Sequence, residues 1–464
     1  MVARIEIELR EPSRRGKFDD IIIHLYKDEE HYSTNINFDF NPLFSFARDN
    51  DSIAFDFLLF SVLIYNIDRF VNRHTFSLEG WTREIEISNM PVLHVDEFRA
   101  VKDQMDNAVS FLTGDNWNIN YSLSEGVLYQ PREDIEDFGD INIFEKVSLF
   151  SGGLDSLIGV IDELEHFHPE KKLLFISHKD LGKEGADQNG IMRIFAQQQL
   201  YTNKYAQIQT SVGIGRRNLG GGRLPKESTF RSRSLLFIGM GIYAAHNIGE
   251  NTPLIIPENG TIALNIPLMP SRRSACSTRT THPTFLKQLQ NILQEIGIVN
   301  PMYNPYEFKT KGEMIVESAN HTVLGHLIEA SCSCAKRGRM QHWDRRGAGI
   351  RHCGMCLPCI YRRVALHMSG LDNPDKYGTD VFNGVRFDIN NLGQQSSRDF
   401  RTLLEFIKRR PLVEKIEKEL LINGIQDVPR IRSYALVVDR TMEQIIEWIR
   451  ANGDNSIKRK AGIR

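Results

Sequence analysis

Two groups of residues have the types and the spacing to do chemistry. The first is Ser151-Gly152-Gly153-Leu154-Asp155-Ser156, entered from the apolar run Val147-Ser148-Leu149-Phe150. Paired glycines let backbone N–H groups turn toward a ligand without a Cβ clash, and a helix that starts there presents its positive end to an anion. Ser151 and Ser156 add hydroxyls at the two edges, while Asp155 suits a Mg²⁺ ion or the bracing of the loop ends. An isolated Gly-Gly is an ordinary turn; the full pattern between a strand and a helix reads as a phosphate site. It lacks the Gly-Lys-Ser/Thr ending of a Walker loop. The second group is Cys353-Gly354-Met355-Cys356-Leu357-Pro358-Cys359, with Cys332 and Cys334 upstream. Three thiols at this spacing and a fourth from either upstream cysteine give Cys₄ ligation suited to structural Zn²⁺, with an iron–sulfur cluster as the alternative. A closed Cys₄ site has no open position, so its metal holds the fold rather than the reaction.

The elements that must position these groups fall into three regions. Residues 1–145 read as an α+β unit. Strands are expected at Ile5–Leu9, Ile21–Leu25, Asn35–Phe40, Arg83–Ile87 and Trp117–Leu123, and a long apolar helix over 52–72 with Asp51 or Ser52 as its cap. Phe98, Val101, Met105, Val109 and Leu112 recur at helical spacing from about Asp96. Residues 130–140, acidic and proline-bearing, read as a linker. Over 146–370 the short apolar runs Val147–Phe150, Leu173–Ser177 and Leu254–Ile256 alternate with helices near 155–166 and 234–246. That alternation predicts an α/β, doubly wound parallel sheet. Residues 371–464 are expected to be a helical extension, with helices at 397–409, 412–421 and 440–451.

Together the loop and the cysteine knuckle resemble the QueC-like family, zinc-containing 7-cyano-7-deazaguanine synthases among the N-type ATP pyrophosphatases. The resemblance implies an adenine nucleotide alpha hydrolase-like (PP-loop) fold and the use of ATP to activate 7-carboxy-7-deazaguanine. Arg233-Ser234-Leu235-Leu236-Phe237 is similar to the family's Arg-Asn-Leu-Leu-Phe, which implies Arg233 beside the nucleotide. Thr310-Lys311-Gly312-Glu313-Met314 is similar to its Ser-Lys-x-Glu-Ile, which implies Lys311 near the phosphates or the acyl adenylate. Ser331-Cys332-Ser333 is similar to its Ser-Cys-Tyr, which favours Cys332 over Cys334 as the fourth ligand beside Cys353, Cys356 and Cys359. Glu258 and Asn259, after the strand Leu254–Ile256, fall where the family recognises its base, and a carboxylate beside an amide suits a guanine-like edge. The implied cofactors are ATP, Mg²⁺ and Zn²⁺, and the implied catalytic residues are Asp155, Lys311 and Arg233.

The resemblance covers roughly residues 146–370 and has departures. Ser232 stands where the family has glycine, and Pro270-Ser271-Arg272-Arg273-Ser274-Ala275-Cys276 replaces a tyrosine-rich loop. The added regions at both ends are closer to the enlarged QatC group of bacterial anti-phage systems. That group implies transfer of the activated carboxylate to the N-terminal amine of a partner protein. Nitrile synthesis from ammonia is the alternative; sulfur transfer to tRNA and a non-catalytic zinc scaffold are further ones.

Composition bounds these readings. Hydrophobic residues make up 41% and charged residues 25%, ordinary for a globular protein, and the net charge of −2 advertises neither nucleic acid nor an anionic membrane. No apolar run is long enough to span a bilayer, and the clustering of cysteines fits a reducing, cytoplasmic setting rather than disulfides. A homo-oligomer is left open.

Overall fold

The structure is a computed structural model that describes residues 2–10, 21–124, 128–168, 170–179, 182–227, 229–268, 279–336, 340–347 and 349–463. The loop 270–276, with Cys276, lies outside them. Strands are numbered β1 (Val2–Leu9), β2 (Ile21–Lys27), β3 (Glu30–Phe38), β4 (Glu84–Val92), β5 (Asn116–Leu123), β6 (Phe144–Leu149), β7 (Lys172–His178), β8 (Tyr205–Thr210), β9 (Val212–Ile214), β10 (Leu254–Ile255) and β11 (Met302–Tyr303).

β6, β7, β8, β10 and β11 form one parallel sheet in the order β11-β10-β6-β7-β8. The chain starts at the centre with β6, runs outward through β7 and β8, then crosses to β10 and β11 on the other side. The order therefore reverses between β6 and β10, and the crevice at such a switch point is where open α/β sheets bind ligands. Both faces are covered. Along β7, Leu173 and Phe175 join an apolar cluster with the helix Leu154–Glu165, whereas Leu174 and Ile176 join one with the helix Arg233–Ile248. Burial on both sides explains why this strand is continuously apolar instead of alternating.

The second sheet has the order β5-β4-β1-β2-β3-β9, with β2 antiparallel to β1 and β3, and β1, β4 and β5 parallel. Its sixth strand, β9, comes from beyond residue 145 and pairs antiparallel with β3. The helix Ile53–Phe70, capped by Ser52 as expected, is buried at every residue except Ile53 and Arg69. A Cβ added at Gly239 of the helix Arg233–Ile248 would meet Ser61 Oγ at 2.5 Å, so the two helices approach closely. One apolar cluster runs continuously from Ile5 and Phe57 to Leu235, Ile242 and Leu289, and residue 145 does not divide it.

Several expected boundaries move. The helix expected from Asp96 is two, Val95–Ala100 and Lys102–Thr113, meeting at Val101. The helix expected at 440–451 is Ile431–Asn452, because Tyr434, Val437 and Val438 continue its buried stripe upstream. It packs with the helices Arg398–Arg409 and Val413–Ile422 around Phe400, Leu404 and Trp448. Among the described residues no helix is long and apolar enough to cross a membrane.

Candidate functional site

β6 delivers the chain to the switch point, and Ser151–Gly153 turns it into the helix Leu154–Glu165. Gly152 has φ +78°, where a side chain is strained, and a Cβ there would also lie 3.1 Å from Gln188 Cγ. Gly153 is the N-cap and offers no side chain, so the first-turn N–H groups look outward for acceptors. Leu154 N–H lies 3.4 Å from Ser333 Oγ, Gly153 N–H donates to Ser151 Oγ at 3.3 Å, and the Ser151 and Ser156 hydroxyls are 3.2 Å apart. Gln188, from the helix Gly182–Gln197, braces the loop by donating to the carbonyls of Ser151 (3.3 Å) and His178 (3.1 Å).

Asp155 leaves the first turn toward Lys311, whose ammonium donates to both carboxylate oxygens at 2.6 and 2.5 Å. Asn259 Nδ2 lies 3.1 Å from Asp155 and 3.1 Å from Glu258. Two carboxyl groups thus share one amide donor beside one cation. Burial, then the charge of Asp155, pushes the Glu258 carboxyl well above the usual range. Burial works against the charge of Asp155 too, but Lys311, then a hydrogen bond from Glu258, outweigh it and hold Asp155 below its ordinary value. The two shifts run in opposite directions, which favours the proton on Glu258 and the charge on Asp155 beside Lys311.

A cavity of about 250 Å³ opens beside the loop, lined by Ser151, Ser156, Arg233, Phe237, Ile256 and Glu258 among others. The Arg233 guanidinium lies 5.6 Å from the Phe230 ring and 5.4 Å from that of Phe237, so a cation and an aromatic wall face the loop serines. The structure therefore brings the loop, Arg233, Glu258 and the Asp155–Lys311 pair together. Asn259 does not line this cavity. It is fully buried, its Oδ1 accepts from Ile262 N–H at 3.0 Å and its Nδ2 is spent on the carboxylates, so it orients them rather than facing the cavity.

The fourth thiol of the cluster is Cys334 and not the expected Cys332. Cys334, Cys353, Cys356 and Cys359 place their Sγ atoms within 4.8 Å of one another, a donor set that fits tetrahedral Zn²⁺. Backbone N–H groups point at the sulfurs: Lys336 and Cys353 at Cys334 Sγ (3.4 and 3.3 Å), Met355 and Cys356 at Cys353 Sγ (both 3.3 Å). Gly354 makes this turn possible, with φ +78° and only 2.0 Å from a would-be Cβ to Thr379 O. Cys332 is held elsewhere, its N–H donating to Gly152 O at 2.9 Å, which ties it to the glycine loop. Arg362, buried on the helix Leu357–Met368, fastens the same strip through Ser331 Oγ (2.9 Å) and Ile328 O (2.6 Å). The knuckle is thus built against the loop, with Ser333 between them.

Both added regions reach the site. Ser232, which precedes the Arg233 helix, donates its N–H (3.3 Å) and hydroxyl (2.6 Å) to Asp68. Asp68 is clamped by fully buried Arg83 (2.5 Å), which also holds Asp115 (2.6 Å). From the C-terminal side, Arg440 donates to Glu313 at 2.5 Å and Gln444 Nε2 to Thr310 Oγ1 at 2.8 Å. Thr310 and Glu313 form the capping box that starts the helix Lys311–Val316. Ser333, Gln188, Asp68 and Gln444 escape a reading of the sequence because their roles depend on partners far along the chain; Ser232, the departure from the family's glycine, was the one visible signal.

A short stretch of the chain is similar to proteins described as 7-cyano-7-deazaguanine synthase from Brucella ovis, Brucella canis and Brucella suis. Each is 36% identical over 73 residues, 16% of this chain and 25% of the relative. The similarity therefore spans about a quarter of those relatives' length. It supports a QueC-like relation over that stretch. No family model matches the chain, and no solved structure matches it.

Proposed function

We propose that the chain uses ATP to adenylate the carboxylate of 7-carboxy-7-deazaguanine and passes the acyl group to an amine, the N-terminal amine of a partner protein. The observation that carries this reading is the glycine loop at the sheet's switch point with Asp155 and Lys311 paired at its mouth. A carboxylate oxygen of the substrate attacks the α-phosphorus of ATP, and the bond to the β-phosphate breaks. The loop N–H groups, Ser151, Ser156 and Lys311 are placed to stabilise the charge on departing pyrophosphate. The amine then attacks the acyl carbon, AMP leaves, and the amine's proton passes to solvent or to a nearby carboxylate. Mg²⁺, held by Asp155 once Lys311 turns to phosphate, would neutralise the triphosphate. Zn²⁺ on Cys334, Cys353, Cys356 and Cys359 would hold Ser333 against the loop. Arg233 and the Phe237 wall suit a planar base, and protonated Glu258 offers a donor or acceptor to it. The buried ties from Asp68 and Gln444 give both added regions a part in shaping the site.

A second reading, nitrile synthesis with ammonia, is favoured by the stretch similar to 7-cyano-7-deazaguanine synthases. The test is AMP release from ATP with 7-carboxy-7-deazaguanine alone, with ammonium, and with proteins encoded beside this chain, products being weighed by mass spectrometry. The expected result is acid-dependent AMP and a protein whose N-terminus gains the acyl mass. Rapid free nitrile from ammonium alone decides for the second reading, and no acid-dependent AMP sinks both.

A further inference from the structure

Gly153 caps the helix Leu154–Glu165 without a side chain, and serine hydroxyls from two distant parts of the chain converge on that helix start. Ser151 Oγ accepts from Gly153 N–H at 3.3 Å, and Ser156 Oγ donates to Gly153 O at 3.1 Å. From the cysteine knuckle, Ser333 Oγ accepts from Leu154 N–H at 3.4 Å. The space among them is a small cradle. A Cβ added at Gly153 would lie 3.2 Å from Ser151 Oγ and 4.0 Å from Ser333 Oγ, so any side chain there would fill it. Ser151 is exposed, and Gly153 and Ser333 are half-buried, which leaves the cradle open to a ligand.

Ser333 reaches this point because the strip that carries it is fixed on both sides. Cys332 N–H donates to Gly152 O at 2.9 Å. In a trans peptide the C=O and N–H point in opposite directions, so this bond turns the carbonyl toward the strip and the N–H of Gly153 away from it. On the other side Cys334 belongs to the four-thiol cluster. Ser333 N–H lies 3.4 Å from Nε2 of His352, a buried residue next to Cys353 whose backbone bridges to Tyr377. One peptide unit joins the hydroxyl to Cys334, so its place follows that of the cluster.

We propose that Ser333 is a phosphate-binding residue of the glycine loop, supplied by the knuckle, so that the knuckle's metal governs affinity for the pyrophosphate end of ATP; the inference rests on the adenylation reading above. A hydroxyl oxygen that accepts Leu154 N–H keeps its own proton for donation. A phosphoryl oxygen seated in the cradle would take that proton together with the first-turn N–H groups, as anions at helix N-termini do. Zn²⁺ on the four thiols would fix Cys334 and through it Ser333. A Ser333 that served only as a stand-in helix cap would support stability and leave phosphate affinity alone.

The test titrates magnesium pyrophosphate into the full chain by calorimetry, with zinc content and melting temperature measured for each protein. Ser333→Ala is expected to weaken binding about tenfold, the scale of one hydrogen bond to a charged group, with zinc content and melting temperature unchanged. Ser333→Thr, which keeps the hydroxyl, should bind as the parent does. Removal of zinc by a chelator should cost a similar factor, and Ser333→Ala should then cost nothing further, because both changes act through one hydroxyl. Parent-like affinity in Ser333→Ala overturns the proposal, as does a loss that comes with a lowered melting temperature and is not restored by threonine. Full affinity after zinc removal overturns the link to the metal. The two readings fail separately: binding that Ser333→Ala leaves untouched removes this inference alone, whereas a parent that binds no pyrophosphate removes the adenylation reading and this inference with it.

Discussion

At the residue scale, the site turns on two carboxyl groups packed beside one ammonium, with Glu258 pushed above its ordinary value and Asp155 held below its own. Glu258 has a folded value above its unfolded one, so its favourable contribution is complete below the ordinary glutamate value of about 4.3 and is lost as pH climbs toward the folded value. Asp155 runs the other way, its contribution being lost only as pH falls through its lowered folded value. Replacing Glu258 by Gln removes the alkaline loss and leaves the acid one. The melting temperature of Glu258→Gln relative to the parent should therefore rise with pH between mildly acidic and mildly alkaline buffers. A difference that stays flat would show that Glu258 is not held protonated. Lys311→Met leaves Asp155 without its cation and should lower acid-dependent AMP release by about a hundredfold. The Ser-Gly-Gly-x-Asp-Ser pattern was legible in residue type, whereas Lys311 stood out only through its resemblance to a family motif. The meeting of the two carboxyl groups was not legible, because it depends on Asn259 Nδ2 lying 3.1 Å from each, one of them 104 residues away.

At the scale of elements, the cysteine knuckle shows how spacing informs and where it stops. Cys353, Cys356 and Cys359 are close in sequence, so one turn and one helix start bring them together. Cys332 and Cys334 are equally plausible by spacing; local backbone direction decides, since the N–H of Cys332 is drawn to Gly152 O while Cys334 turns to the other thiols. Cys334→Ser should abolish stoichiometric zinc, and Cys332→Ser should keep it, as read by elemental analysis of the purified chains. Retention in both would mean that neither sulfur is needed. The same scale explains the C-terminal helix. A Cβ on Gly312 would meet Gln444 Oε1 at 2.7 Å, so the helix Ile431–Asn452 lies directly on the start of the lysine's helix. Its amphipathic period was visible; that its polar face caps Thr310 was not.

At the scale of the whole molecule, the N-terminal sheet is not detachable in the way its separate composition suggests. Leu235, Ile238 and Ile242 are at most 1% exposed, in a cluster shared with the helix Ile53–Phe70, and β9 has β3 as its partner. Exposing side chains of this kind costs about 1.5–3 kcal/mol each. A chain reduced to 146–464 should therefore aggregate or lack a cooperative thermal transition by circular dichroism; a soluble fragment with a sharp transition would count against the shared core. By itself the sequence determined the glycine loop between a strand and a helix, the knuckle's three thiols, the parallel strand–helix alternation and the long buried helix, since each follows from residue type or from periodicity within one segment. Only the tertiary structure decided the sheet order that puts the loop at the switch point, the exchange of Cys332 for Cys334, the withdrawal of Asn259 from the cavity, and the reach of both added regions into the site. These depend on which distant groups meet, and a distance between segments leaves no periodic trace in either one.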